Sequence, residues 1–362
     1  MTEPSVHHAL NDDLVEVLGA FALRGEPVEV EPMTGGHIHR TWSAVAGGHR
    51  VVCQSLNEHV FSDLDACEEN LRRIDDQFRE VVPSQGVQVP ALRRTVSGHV
   101  HYRASTGVMW RVSDFAIGTV GGTIARSTAE AEQAAFAFGS YARMLQNLPG
   151  PPLHATIVGF HDLPSRVRQF EQSMAADRAG RRHGVAALVA LARSLQAVVL
   201  ERFASIARLP RVAVHNDAKV SNVLFDAVSG VARFVIDLDT TMPGSVLFDV
   251  GELLRTACSD APEDAVDPSL IRVESGRVEA VVRGYIAGAG PLVDRATRRV
   301  LPLAGPLMAV ENATRFLTDH LDGDVYFAVE RPDHNLVRAA AQFAVAQLLI
   351  DAAEIVTVAA HP

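Results

Sequence analysis

His215-Asn216-Asp217-Ala218-Lys219-Val220-Ser221-Asn222-Val223-Leu224-Phe225-Asp226, followed by Arg233-Phe234-Val235-Ile236-Asp237-Leu238-Asp239, is the stretch from which the rest of the chain can be read. Three apolar runs, Val212-Ala213-Val214, Val223-Leu224-Phe225 and Phe234-Val235-Ile236, alternate with an abrupt polar cluster. The pattern predicts short buried strands that present a loop of ionisable side chains. Ala227-Val228-Ser229-Gly230 predicts a hairpin, across which the chain returns with a second acid, Asp237.

Asp217, Lys219 and Asn222 stand at D-x-K-x-x-N with His215 two residues before the acid, the layout of a kinase catalytic loop. Phosphoryl transfer asks for few covalent steps: a carboxylate to orient and deprotonate the attacking hydroxyl, a cation for the γ-phosphoryl charge, and oxygen ligands for Mg²⁺. Each is present. Magnesium keeps several waters, so one amide and one or two carboxylates suffice. Lys219 is the sole lysine among 33 lysines and arginines. A flexible point charge suits a phosphoryl group in transit, and arginine's planar fork is not equivalent, although a single lysine has to fall somewhere.

The stretch resembles the aminoglycoside phosphotransferase and choline kinase superfamily, whose loop ends in the same acid, basic residue and asparagine. With Ile236-Asp237-Leu238-Asp239-Thr240-Thr241-Met242-Pro243-Gly244 added, it looks most like the N-acetylhexosamine 1-kinases. The resemblance implies ATP as donor, Asp217 as catalytic base in contact with the acceptor, Lys219 at the phosphates, and Asn222 with Asp237 as Mg²⁺ ligands. It also implies that Asp249 holds the backbone of the catalytic loop in shape, and Asp239 is grouped with it as a supporting residue. The bland reading of Asp249 is a helix-start carboxylate favoured by the dipole. His215 is read as a structural, hydrogen-bonding residue rather than a base.

A length of 362 residues suits two domains or a two-lobed enzyme, and 48% hydrophobic with 21% charged residues is ordinary for a globular chain. The net charge of −10 argues against nucleic acid or an anionic membrane as partner. Cys53, Cys67 and Cys258 are odd in number and widely spaced, which supports neither a disulfide framework nor a zinc site. No basic n-region precedes an apolar segment at the N-terminus, and no apolar run is expected to reach the length of a spanning helix, so a cytoplasmic location is expected.

Upstream, residues 10–23 have helical spacing, and Val28-Glu29-Val30-Glu31-Pro32 alternates like an edge strand. Gly35 and Gly36 between two strands would let backbone approach a phosphate, or are simply a turn. Where a kinase places the lysine of its third strand, this chain has Gln54, as the N-acetylhexosamine 1-kinases do by resemblance. Residues 87–92, 99–103 and 107–113 read as further strands of one antiparallel sheet. Ser113 and Phe115 lie in the candidate hinge that would pair with the edge of a purine; an ordinary strand end is the alternative. Ser127 and Glu130 form a capping box ahead of an Ala-rich helix. A segment from Val185 to Leu209, apolar nearly all round, is expected in the core of a large lobe. A helical stretch from Arg295 to Leu321 should break near Pro302 and Pro306. Arg315 to Phe327 resembles the segment that lines the sugar pocket of the N-acetylhexosamine 1-kinases, which implies substrate contacts from Arg315, Tyr326 and, by the same resemblance, His37. Otherwise it is a helix ending at Gly323 with an exposed acidic turn.

The expected fold is α+β, two-lobed and protein-kinase-like, with a β-rich nucleotide-binding lobe over 1–114 and a mainly helical catalytic lobe over 115–362. The expected activity is ATP- and Mg²⁺-dependent phosphorylation of the anomeric hydroxyl of an N-acetylhexosamine. An aminoglycoside, another hexose or a small alcohol is the alternative acceptor; Asp319, Asp322 and Asp324 could supply the acidic pocket that a cationic aminoglycoside needs. A catalytically silent nucleotide-binding protein is the alternative of another class, motivated by Gln54.

Overall fold

Alternating apolar positions build the first sheet. The computed structural model describes residues 13–33, 39–58, 60–61, 63–80, 86–203 and 209–359. Strands β1 (Val28–Met33), β2 (Arg40–Ala46), β3 (His49–Ser55), β4 (His101–Arg103) and β5 (Met109–Asp114) form an antiparallel sheet in the order β1-β2-β3-β5-β4. Val51 and Cys53 of β3 and Trp110 and Val112 of β5 join Leu14, Val17 and Leu18 of helix α1 (13–20) in one apolar cluster. Side chains alternate along each strand. Thr41, Gln54, Arg111 and His101 therefore form a polar row, which the register sets side by side across β2, β3, β5 and β4. Helix α2 (Leu64–Arg79) starts on an Asp63 cap and buries Leu71, Ile74 and Phe78.

Five more short strands among the described residues are β6 (Thr119–Val120), β7 (Val212–Val214), β8 (Val223–Asp226), β9 (Ala232–Val235) and β10 (Met242–Gly244), of which β6, β8 and β9 make a second sheet in that order. The chain divides into two compact units. The first is Met1–Gly121, Asn147–Ile157 and Leu224–Met242; the second is Gly122–Gln146, Val158–Val223 and Pro243–Pro362. The expected division after Asp114 is a single cut, whereas the packed units exchange segments. The reason is the β8–β9 hairpin, which pairs with β6 and, through Phe234, with Gln88.

Most of the second unit is helical: α3 (Thr128–Leu145), α4 (Leu163–Ala176), α5 (Ala186–Phe203), α6 (Val246–Ala257), α7 (Ser275–Ala289), α8 (Arg295–Val300), α9 (Ala304–Asp322) and α10 (His334–Ala359). Ser127 caps α3 by accepting the N–H of Glu130, as the S-x-x-E spacing predicts. The break comes at the 3₁₀ turn Leu301–Leu303, which holds Pro302, and Pro306 lies inside the first turn of α9, where its missing N–H costs nothing. α3 and α7 touch backbone to backbone: a Cβ at Gly284 would overlap the Glu132 carbonyl, and one at Gly288 the Phe136 carbonyl.

Two expectations need correction. Arg182–Arg202 and His334–Ala353 are long and apolar enough, by length and composition, to cross a membrane. In the second, 56% of the window is buried in the protein, but in the first only 33%. α5 is therefore not the all-round core helix expected: Ala186, Ala187, Ala190 and Ala197 are exposed. Alanine has little apolar area, so leaving it in water costs little.

Candidate active site

The candidate catalytic loop lies in the second unit, after β7. Its backbone is held from within. Asp249, in the first turn of α6 and fully buried, accepts the N–H groups of His215 (3.2 Å) and Asn216 (2.7 Å). Asn216 has φ of 64°, a left-handed conformation that asparagine tolerates better than most residues. Its side-chain amide donates to the Val214 carbonyl at 3.1 Å. Gly244 packs so tightly against the Asn216 carboxamide that a Cβ there would overlap it. His215 accepts the N–H of Asp217 on Nδ1 at 3.3 Å, and its buried ring meets Phe138 edge-on at 5.0 Å. A nitrogen lone pair used in this way is not available to a substrate proton.

Asp217 and Lys219 remain partly open, with side chains 23% and 27% exposed, and form an ion pair at 2.9 Å. Burial works against the Asp217 charge, but Lys219 more than offsets it. The carboxyl therefore sits below its ordinary range and is ionised at neutral pH. Asn222 closes the 3₁₀ turn Val220–Asn222, and its Nδ2 donates to the carbonyl of Asp217 (2.9 Å) and to its Oδ2 (3.2 Å). Two acceptors on Nδ2 settle which way the amide faces and leave Oδ1 as a metal-seeking oxygen. This oxygen-only donor set fits Mg²⁺, which is satisfied with few protein ligands. Among the described residues no group of three or more His, Cys, Asp or Glu is placed to hold a metal, so a caged transition-metal site is not built here.

Asp237, the other expected metal ligand, belongs to the first unit. It has φ of 62° and opens the 3₁₀ turn Leu238–Thr240. That turn is tied to the sheet. Asp239, 5% exposed, takes two bonds from Arg111, Nη1 to Oδ1 at 2.6 Å and Nη2 to Oδ2 at 2.7 Å, and meets His39 Nε2 at 3.3 Å. Arg111 also donates to Gln54 Oε1 through Nε (3.2 Å) and Nη2 (2.8 Å), and Gln54 Nε2 donates to Thr41 Oγ1 at 3.3 Å. Burial opposes the Asp239 charge, yet Arg111 and His39 hold its carboxyl far below the usual range. Burial and Arg111 together push His101 down to about 4. Arg111 is the residue that sequence reading missed. It sits opposite Gln54 in the register, which places a buried cation on the strand next to β3.

The segment after α9 is shaped by its acids. Asp319 Oδ1 accepts the N–H groups of Val325 (2.9 Å) and Tyr326 (2.8 Å), and Oδ2 accepts those of Phe327 (2.9 Å) and the Asn335 side chain (2.9 Å). Asp324 takes Arg181 at 2.5 Å and Asn335 at 2.9 Å, and Asp322 takes the Ser173 hydroxyl at 2.8 Å. Asp319 and Asp324 are thereby spent on folding this segment and do not offer the free acidic pocket expected of them, whereas Asp322 Oδ1 has no hydrogen-bond partner among the described residues. What the loop presents is aromatic. Arg315 lies over the rings of Phe160 (5.9 Å), Tyr326 (5.7 Å) and Phe327 (5.2 Å) and pairs with no carboxylate among the described residues. Arg166, beside it, is held by Gln169 and by the carbonyls of Gly159 and Phe160; burial and then Arg315 lower its pKa.

Gly35, Gly36 and His37 lie outside the described residues. The hinge expectation changes in one particular. Ser113 sits between Val52 and Leu92, and the N–H of Phe115 donates to the Arg50 carbonyl at 3.2 Å, so that donor is already used within the sheet.

Residues 29–299 match the phosphotransferase enzyme family. Several solved structures share the fold. A microcompartment-associated aminopropanol kinase has TM-score 0.67 at 14% identity, covering 97% of this chain and 98% of that one. A spectinomycin phosphotransferase in complex with ADP and spectinomycin has TM-score 0.58 at 12% identity, covering 94% and 98%. An aminoglycoside phosphotransferase from Alicyclobacillus acidocaldarius has TM-score 0.58 at 15% identity, covering 92% and 93%.

Proposed function

The chain belongs to the phosphotransferase enzyme family, and from that premise we propose that it transfers the γ-phosphoryl group of ATP to the anomeric hydroxyl of an N-acetylhexosamine. The observation that carries the transfer is the Asp217–Lys219–Asn222 cluster: an ionised, partly open carboxylate paired with the only lysine and steadied by an amide. Asp217 accepts the hydroxyl proton and orients the oxygen for in-line attack. Lys219, on its flexible stem, keeps Asp217 ionised and offers charge to the phosphoryl oxygens. Asn222 through Oδ1 and Asp237 through its carboxylate are each assigned to Mg²⁺ on the chemistry of their own donors. When bound, the ion offsets charge on the phosphate oxygens. Arg111 keeps the turn carrying Asp237 against the sheet.

The acceptor assignment rests on Arg315. A guanidinium among three aromatic rings, with a second arginine beside it and no carboxylate partner among the described residues, repels a polycation. It suits a neutral sugar whose hydroxyl and acyl oxygens accept hydrogen bonds while a ring face stacks on Tyr326. That favours an amino sugar in its N-acylated, uncharged form over an aminoglycoside. Dependence on ATP is consistent with a cytoplasmic location, which is part of this proposal. The test is incubation with ATP, Mg²⁺ and a panel of N-acetylhexosamines, hexoses, small alcohols and aminoglycosides, with phosphorus NMR for sugar 1-phosphate. Turnover of aminoglycosides alone would overturn the acceptor, and ATP binding without any transfer would overturn the activity.

A further inference from the structure

His161 is a buried histidine with no assigned role. It precedes Asp162, the N-cap of α4, and its side chain is 4% exposed. Its Nε2 is 2.7 Å from the carbonyl oxygen of Asn216, and its Nδ1 is 3.1 Å from Glu311 Oε1 on α9. A carbonyl can only accept, so Nε2 carries a proton, while Nδ1 faces the Glu311 carboxyl. The ring packs against Phe160 (centroids 4.4 Å apart) and Phe248 (4.8 Å), and the carboxyl beside it favours its imidazolium form. Burial works against that charge, and Glu311 more than restores it, raising the histidine above its usual range. Glu311 is 1% exposed, and its second oxygen has no partner among the described residues. Such a buried carboxylate is costly unless a cation faces it. The other charged groups around the ring are Glu252 and Asp249 on α6; Arg255 is engaged by Glu252, and Arg166 of α4 also feels Glu311.

The catalytic loop is thus gripped from two sides at one residue. Asp249 takes the N–H of Asn216, and His161 takes its carbonyl, which belongs to the peptide leading into Asp217. Each contact constrains one side of a residue in the left-handed conformation, which asparagine tolerates. We propose that His161, backed by Glu311, is a positioning residue for phosphoryl transfer: it fixes the Asn216–Asp217 peptide and so aims the Asp217 carboxylate. The inference rests on Asp217 being the base. In-line transfer is sensitive to small misplacement of that oxygen, and an error of about 1 Å costs on the order of a hundredfold.

The test uses the full chain with three variants. In the wild type, kcat should fall on an alkaline limb as His161 loses the Nδ1 proton and meets the Glu311 carboxylate with a lone pair. Glu311→Gln lets a neutral ring keep its Nε2–H on Asn216 while the glutamine amide donates to Nδ1, so the limb should vanish with a smaller loss of kcat at neutral pH. His161→Phe, or His161→Asn if the first does not fold, should lower kcat about tenfold to a hundredfold at every pH, with KM for ATP within about twofold of wild type. Hydrogen exchange at the amides of His215, Asn216 and Asp217 should quicken in His161→Phe. That readout needs no turnover, so it separates failure of this inference from failure of the assigned activity. A lower melting temperature with an unchanged pH profile and unchanged exchange would mean a merely structural histidine and would overturn the proposal.

Discussion

Charge matters more than shape at Asp217. Asp217→Asn keeps the volume and one of the acceptors of Asn222, so the melting temperature should barely move, while kcat falls by about 10²–10⁴-fold. Steady-state rates beside a thermal melt check both halves. The opposite holds at Arg111, whose work is inside the fold. Arg111→Met strands a buried Asp239 carboxylate and should cost about 3–5 kcal/mol in denaturant unfolding. Arg111→Met combined with Asp239→Leu removes both charges and should cost less than the sum of the two single changes; strict additivity would mean the pair is not coupled. Asp217, Lys219 and Asn222 are legible in the chain because their spacing within one short loop is itself the geometry. Arg111 and Asp239 are 128 positions apart, and only the packing of the turn Leu238–Thr240 against β5 brings them together.

Helices and loops carry predictions of their own. Asp319 organises the turn after α9 through four accepted hydrogen bonds. Asp319→Asn leaves the donors of Phe327 and Asn335 facing another donor, and an unsatisfied buried donor costs about 1–3 kcal/mol. If Tyr326 and Arg315 touch the acceptor, KM for the sugar should rise about tenfold or more, while KM for ATP stays within about twofold; equal changes in both would remove that segment from the acceptor site. Gly288→Ala should destabilise by about 1–3 kcal/mol because α3 has no room for a methyl group, as a denaturation midpoint would show. The α3 cap and the break at Pro302 were legible because the signals are local hydrogen-bonding and ring chemistry. The burial of α5 was not: hydropathy counts alanine as apolar, but whether an alanine face meets another helix depends on what packs beside it. The acids at 319 and 324 misled for the same reason, since a carboxylate in a list of residues gives no hint that backbone amides and neighbouring side chains will consume it.

Stability should carry the mark of one buried acid. Burial raises Asp249 from 3.8 to about 6 despite its two backbone donors and His215. A native pKa above the unfolded one means that the contribution is fully present below pH 3.8 and is lost as pH rises through about 6. Denaturation midpoints measured across that window should fall more steeply for wild type than for Asp249→Asn; parallel curves would contradict the assignment. Asp239 works in the other direction, its stabilisation persisting above 3.8 and fading only in strong acid. Ligands give a second global readout. A nonhydrolysable ATP analogue with Mg²⁺ at about 100 times its Kd should stabilise the native state by about 2.7 kcal/mol, and adding N-acetylhexosamine should raise the melting temperature further where an aminoglycoside does not.

The order of residues along the chain sufficed for the α+β class, the kinase-like loop and the identity of its acid, lysine and amide, because those features come from short-range periodicity and spacing that no distant contact can alter. Packing alone settled the rest: that an arginine on β5 faces Gln54, that Asp319 and Asp324 fold their own segment, and that a histidine bonds the peptide ahead of Asp217. Each of these depends on groups separated in the chain sharing a buried space, where an unpaired charge is too costly to leave alone.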